Sequence, residues 1–267
     1  MNRSGLQARV SIVLICGALL CSSVWAQQDA EEVMRKNFFA TKLSGFSGDV
    51  TLTLINSRGD ERVRKMSIRS KLKDNGIDSA VMTRFEQPAD IKGTGFLQSE
   101  NSAGDDDIWV YLPALGKTRR LASNNKRDSF FGTDFAYGDI LLPAVKSYKH
   151  TWLRTEELNG ESCYVIESIP ADERTRSDSG YGRKLTWVDA NGYLERKVEY
   201  YDTQGALLKT QMVLQAREVE PGKQRWLALE RRMTNHQTGH RTVYRIDDYQ
   251  VGNVIGRGFS VRDLEAR

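Results

Sequence analysis

From residue 47 onward, apolar and polar positions alternate with a period of two, as in strands with one buried face. Val50, Leu52 and Leu54 alternate with Thr51, Thr53 and Ile55. Ser57-Arg58-Gly59-Asp60 turns the chain into a long strand over 61–73. Met66, Ile68 and Leu72 fall on one side of it, and Lys65, Arg69 and Lys71 on the other. Asp74-Asn75-Gly76 is a hairpin signal, because Asn and Gly accept positive φ. The next strand spans 77–85, with Ile77, Val81 and Phe85 in phase. Gly93-Thr94-Gly95 then opens a short strand over 96–98, where glycine permits a bend or a close backbone approach.

One hairpin departs from simple alternation. Ile108, Val110 and Leu112 interleave with Trp109 and Tyr111, so this strand is apolar on both faces. Such a strand has something to cover on each side. Either both faces are core, or one meets a core and the other lines a cavity. Pro113 and Gly116 mark a tight connection to a return strand over 117–121, which carries Lys117, Arg119 and Arg120. A long connection over 123–149 follows, with Phe130, Phe131, Phe135, Tyr137, Ile140, Leu141 and Leu142. It is too apolar for a free loop and predicts short helical turns packed across the sheet, a candidate lid or plug.

Period-two segments resume at 152–158, 163–169, 183–188, 193–201, 206–219, 225–235 and 240–251, joined mostly by Gly-containing turns. The polar stretch 170–182 reads as a loop. The pattern amounts to about a dozen antiparallel strands in an up-and-down meander, with no linker between two domains. Ahead of it, residues 29–43 predict a helix. Its acidic residues precede its basic ones, and Met34/Phe38 and Phe39/Leu43 form adjacent apolar stripes.

The first 26 residues read as a cleaved signal peptide: Arg3 and Arg9, an apolar run over 10–20, then Val24-Trp25-Ala26. The run is too short for a membrane span. Leu20 precedes Cys21 and Ile15 precedes Cys16, so neither cysteine follows the small residue that lipidation requires. The expected product is an exported, unlipidated single domain over 27–267. Without Arg3 and Arg9, Lys plus Arg fall from 39 to 37 against 35 Asp plus Glu. That near-neutral balance argues against a nucleic-acid partner. Cys163 remains as a lone cysteine in an apolar run and reads as a small buried hydrophobe.

Chemistry is sparse. His236 and His240 flank a turn and lack the further ligands of a zinc site. Asp105-Asp106-Asp107 lacks the alternating ligands and glycine of a calcium loop. No nucleophile elbow, phosphate loop or dinucleotide fingerprint occurs, so no catalytic residue, metal or cofactor is expected.

Several motifs in order resemble one family: R-F-x-x-P-A-D-x-K-G-T-G-F (84–96), D-x-W-x-Y-L-P-A (107–114), K-x-R-R (117–120), S-F-x-G-T-D-F-x-Y-x-D (129–139) and M-T-N-H-x-T-G-H-R-T (233–242). They are similar to the LolA-like family of outer-membrane lipoprotein-sorting proteins. The resemblance covers essentially the whole mature chain. It implies a mainly β fold, a half-open antiparallel β-barrel (LolA/LolB-like) of about 11–13 strands. The barrel would wrap around an N-terminal helix and short helical lid segments.

It also implies a non-enzymatic periplasmic carrier for lipid, lipoprotein acyl chains or another hydrophobic cargo. An inner-membrane RND- or MMPL-type transporter and an outer-membrane acceptor would be its partners. The alternative is a non-catalytic adaptor of such a transporter with a filled barrel. Under the carrier reading, Phe85, Phe96, Trp109, Tyr111, Phe135 and Tyr137 line or gate the cavity. Lys117, Arg119 and Arg120 meet lipid phosphate or a partner, or else form a solvated strand face.

Overall fold

The computed structural model describes residues 29–122, 126–141, 144–252 and 258–266. The signal-peptide reading therefore lies outside the described residues. The first six strands are β1 (Gly45–Ile55), β2 (Glu61–Leu72), β3 (Ser79–Gln87), β4 (Gly95–Ser99), β5 (Asp107–Leu112) and β6 (Lys117–Arg120). The other seven are β7 (Tyr148–Leu158), β8 (Glu161–Pro170), β9 (Arg183–Asp189), β10 (Glu195–Tyr201), β11 (Leu207–Glu220), β12 (Arg225–Asn235) and β13 (Arg241–Val251). They form one antiparallel sheet in the order β6-β5-β4-β3-β2-β1-β13-β12-β11-β10-β9-β8-β7. Every neighbour is a sequence neighbour except β1 and β13, which pair from Phe46↔Val251 to Ile55↔Arg241. The sheet does not close, and β6 and β7 are its two edges. This is the half-open antiparallel architecture expected, with 13 strands.

Local chemistry explains the strand ends. Asn159 and Gly160 both take positive φ, 54° and 85°, which suits a two-residue hairpin between Leu158 and Glu161. Register shifts interrupt β1–β13 at Asp49/Val50 and β2–β3 at Lys65/Met66. Such bulges bend strands and help the sheet curl. Ile77 falls before β3 and is exposed; the inner phase of that strand is Val81, Thr83 and Phe85.

Helix α1 (Ala30–Ala40) begins at Asp29, whose side chain accepts from the Glu31 N–H, and ends three residues earlier than the periodicity predicts. Val33 packs on Ile166 and Val188 of the inner sheet face, while Leu43 leaves the helix for the main core. The long connection contains α2 (Tyr137–Ile140) and a 3₁₀ turn at Val145–Ser147, the short helical turns expected of it.

Two elements depart from the sequence reading. The stretch expected as a loop over 170–182 holds α3 (Glu173–Ser179). It has no apolar periodicity, but Asp172 caps the Thr175 N–H and Gly180 closes it in the left-handed region. The chain then ends in α4 (Val261–Glu265), whose Ser260 and Asp263 form a capping box.

Candidate ligand-binding site

The structure brings together four of the six aromatics expected at the cavity. Phe85, Phe96 and Phe135 are fully buried and Tyr137 nearly so, in one cluster with Phe130. Phe130 meets Phe96 edge-on at 5.6 Å and Tyr137 at 5.4 Å, and Phe85 meets Phe131 at 4.8 Å. Such pairs add about 0.5–1.5 kcal/mol each beyond area burial. These rings form a filled plug under β2–β5, not the wall of an open space.

Trp109 and Tyr111 lie on the opposite face. Successive side chains of a strand point to opposite sides, and Ile108 and Val110 take the inner one. Trp109 and Tyr111 pack outside with Met82, Leu97 and Leu264 of α4. A Cβ at Gly95 would lie 2.6 Å from Leu264 Cδ1, so the glycine is what lets α4 settle there. Both faces of β5 are thus covered, one by the plug and one by a helix. The six expected residues do not share one cavity.

Lys117, Arg119 and Arg120 are exposed on edge strand β6. Arg119 pairs across from Val110 and Arg120 across from Trp109, so they project to opposite sides of the sheet. Arg120 forms an ion pair with Asp107. The three cations do not form a single patch.

Open space lies beside the plug. A hollow of ≈550 Å³ is walled by α1, the β4–β5 loop, the connection after α2, and α3. Phe38, Phe39, Leu141, Ala144, Val145 and Tyr148 give it apolar walls. Its rim carries charges of both signs, Arg35, Lys126, Lys146 and Arg174 among the cations, and several of its carboxylates have partners. Asp105 pairs with Arg174 at 2.5 Å, and Asp78 accepts from Asn75 and the Ser102 N–H. Glu100 pairs with Lys42, a buried couple in which burial pushes the acid up and the amine down.

Phe38, Leu141 and Tyr148 also line a neighbouring chamber of ≈90 Å³ against the inner face of β7–β10. That floor is polar: His150, Ser168, Lys184, Thr186 and Glu195 line it with Val198 and Tyr200. His150 Nε2 lies 3.0 Å from the Val145 carbonyl, so that nitrogen carries the proton and Nδ1 accepts from Ser168 at 2.8 Å. Burial holds the His150 pKa below its ordinary value. Burial likewise raises the Glu195 carboxyl, which accepts from Gln211 at 2.6 Å.

Polar bonds fix the plug segment to the sheet. Asp139 of α2 accepts from Lys209 at 2.6 Å and from Tyr181 at 2.8 Å. Asp134 accepts from Thr242 at 2.7 Å.

These site residues left a faint signal in the sequence. Met34 and Phe38 show as an i, i+4 stripe, only part of which the sheet covers. Strand 183–188 misleads: its obvious apolar face, Leu185 and Trp187, packs outside with Cys163 and Val165. The Lys197 ammonium lies 4.0 Å over the Trp187 ring and helps to cover that cluster. Cys163 is the buried hydrophobe expected, its thiol pushed up to about 11, with burial the main cause. Among the described residues, no helix is long and apolar enough to cross a membrane.

A family model described only as an uncharacterized protein matches residues 78–266. No curated protein gives a match. Among solved structures, an outer membrane lipoprotein-sorting protein domain from Vibrio parahaemolyticus is 32% identical with a TM-score of 0.80. That match covers 89% of this chain and 98% of the other. A DUF1329 family protein from Desulfovibrio piger is 24% identical, with a TM-score of 0.78 over 88% and 97% of the two chains. A LolA superfamily protein from Nitrosomonas europaea is 22% identical, with a TM-score of 0.64 over 84% and 94%. The last two likenesses speak to the fold alone.

Proposed function

The chain belongs to the LolA-like family of outer-membrane lipoprotein-sorting proteins, and from that premise we propose that it is a periplasmic carrier of acylated or otherwise hydrophobic cargo. The observation that carries this reading is the ≈550 Å³ hollow with apolar walls beside an already filled core. A hollow of that size is in the range of small-molecule sites. Each methylene moved into it from water contributes about 0.8 kcal/mol, so a ten-carbon stretch supplies roughly 8 kcal/mol before ordering costs. No charged partner is needed for that part of the binding.

Apart from Tyr148 at the start of β7, the apolar walls belong to α1 and the connection, with the β4–β5 loop and α3 completing the enclosure. Loading and release proceed by shifting these against a fixed sheet. An RND- or MMPL-type transporter in the inner membrane would deliver the cargo, and an outer-membrane acceptor would receive it. The chain performs no chemistry on what it carries.

The filled plug favours a second reading, a periplasmic adaptor that docks a membrane complex and carries nothing. One experiment separates the two. The mature protein is purified without detergent from a Gram-negative host and extracted for lipid mass spectrometry. A carrier yields a stoichiometric acylated species. A protein that is empty, takes up no fluorescent fatty acid and still pulls down a membrane partner is an adaptor.

A further inference from the structure

We infer that the hollow receives a single-chain amphiphile head-first, with a compact anionic head, a carboxylate, seated at Lys184 on the chamber floor and the chain lying along Phe38, Leu141 and Tyr148. The inference rests on the carrier reading and names a class of cargo for it.

Charge on the inner face is the first argument. The charged groups lining the chamber are Lys184, Asp139 and Glu195, with Lys209 and Arg231 beside the two carboxylates. Asp139 is committed to Lys209, the two side chains being 1% and 6% exposed. Glu195 bonds to Gln211 and feels the nearby charges of both Arg231 and Lys184. With Arg231 and Lys184 both facing the single Glu195 carboxylate, this group of charges holds one cation in excess. Among the described residues Lys184 has no carboxylate at ion-pair distance, and its ammonium lies 4.0 Å over the Tyr148 ring. Lys184 is half-buried, and an anion reaching it balances the excess cation. A lysine ammonium has three N–H donors, and an aromatic face satisfies them only weakly.

Shape is the second argument. The chamber is ≈90 Å³ and adjoins the ≈550 Å³ hollow, with Phe38, Leu141 and Tyr148 in the lining of both. The chamber floor carries His150, Lys184 and Glu195, and the hollow has the larger apolar area. A compact head fits the former and a chain the latter. A lipoprotein or a glycerophospholipid would instead leave its bulky polar part at the rim. At the rim Arg174 is held by Asp105 and Asp178, while Lys126 and Lys146 also line the hollow and would hold a head there, an arrangement that labels at the two ends of the chain distinguish.

The test compares palmitate with hexadecanol on the delipidated mature protein by calorimetry. It also compares two fluorescent fatty acids, one labelled at the carboxyl end and one at the methyl end. A charge-assisted bond predicts that palmitate binds roughly ten- to a hundredfold tighter than hexadecanol. Lys184→Met should erase that gap by weakening palmitate alone, and only the methyl-end label should be accepted. Equal affinity of palmitate and hexadecanol for the unaltered protein, or acceptance of the carboxyl-end label, overturns head-first binding and leaves the carrier reading intact. Failure of every chain ligand to bind overturns both. The comparison on the unaltered protein decides the matter even if Lys184→Met fails to fold.

Discussion

The two halves of the inner face solve different problems. Against β1–β6 the inner face is largely apolar and is filled by Phe130, Phe131, Phe135 and Tyr137 from the connection. Against β7–β11 it carries His150, Ser168, Lys184, Thr186, Lys209 and Gln211, and part of it fronts open space. The first half is built as a core, by close packing of rings. The second is held open by groups that cannot be buried without partners. The packed core and the proposed binding site therefore lie against different strands of one sheet.

The largest expected effect tests the packed half. Phe130→Ala removes a fully buried ring and should cost about 3–5 kcal/mol in urea unfolding. Phe38→Ala, on the hollow wall, should cost less than about 1.5 kcal/mol while sharply reducing fatty-acid uptake. Equal destabilisation by the two variants would erase the distinction between halves.

Next comes the bond that ties the halves together. Lys209→Met leaves Asp139 buried without its cation and should cost about 3 kcal/mol. Tyr181 and the Ala136 N–H still bond to that carboxylate, which keeps the loss at the lower end. Adding Asp139→Leu should recover part of the stability, measured as a double-mutant cycle. Additivity of the two losses would show that the pair does not act as a unit.

A smaller effect sharpens the polar half. The native His150 pKa lies below its ordinary 6.5 because of burial. As pH falls below 6.5, the unfolded chain takes up this proton before the native one does, so stability declines from there down to the depressed native value. His150→Gln should flatten that slope in unfolding curves collected at successive pH values. The smallest effect belongs to the edge: Lys117→Ala and Arg119→Ala should leave the unfolding midpoint unchanged.

Most of the sheet was legible, because tight turns such as Asn159-Gly160 leave few alternatives once alternation is seen. The site was legible only in part. Phe85, Phe96, Phe135 and Tyr137 do gather, but aromatic richness does not distinguish a lined cavity from a filled core. Trp109 and Tyr111 went to the other face because α4, a five-residue helix distant in sequence, covers them. Lys184 and Thr186 share strand 183–188 with Leu185 and Trp187, and the usual rule turns the polar pair outward. The rule fails there because the inner side encloses a hollow and the outer apolar cluster is sheltered by long cationic side chains. Helix α3 was hidden because its signal lies in its caps, not in any buried stripe.

The pairing of β1 with β13 also has a kinetic side. Every other ladder joins strands adjacent in sequence, so each half can zip up from its hairpins as soon as the chain emerges. Joining Phe46 to Val251 must wait for nearly the whole polypeptide. The entropy of closing so large a loop grows only logarithmically, about 0.6 kcal/mol per doubling. Nearly all of that closure is already accomplished if both halves are compact when they meet. Folding should therefore run as two local meanders followed by one late docking at the centre of the sheet. Until that docking, the newly made chain exposes two extra unpaired strand edges, and this is when it most needs protection from its own copies.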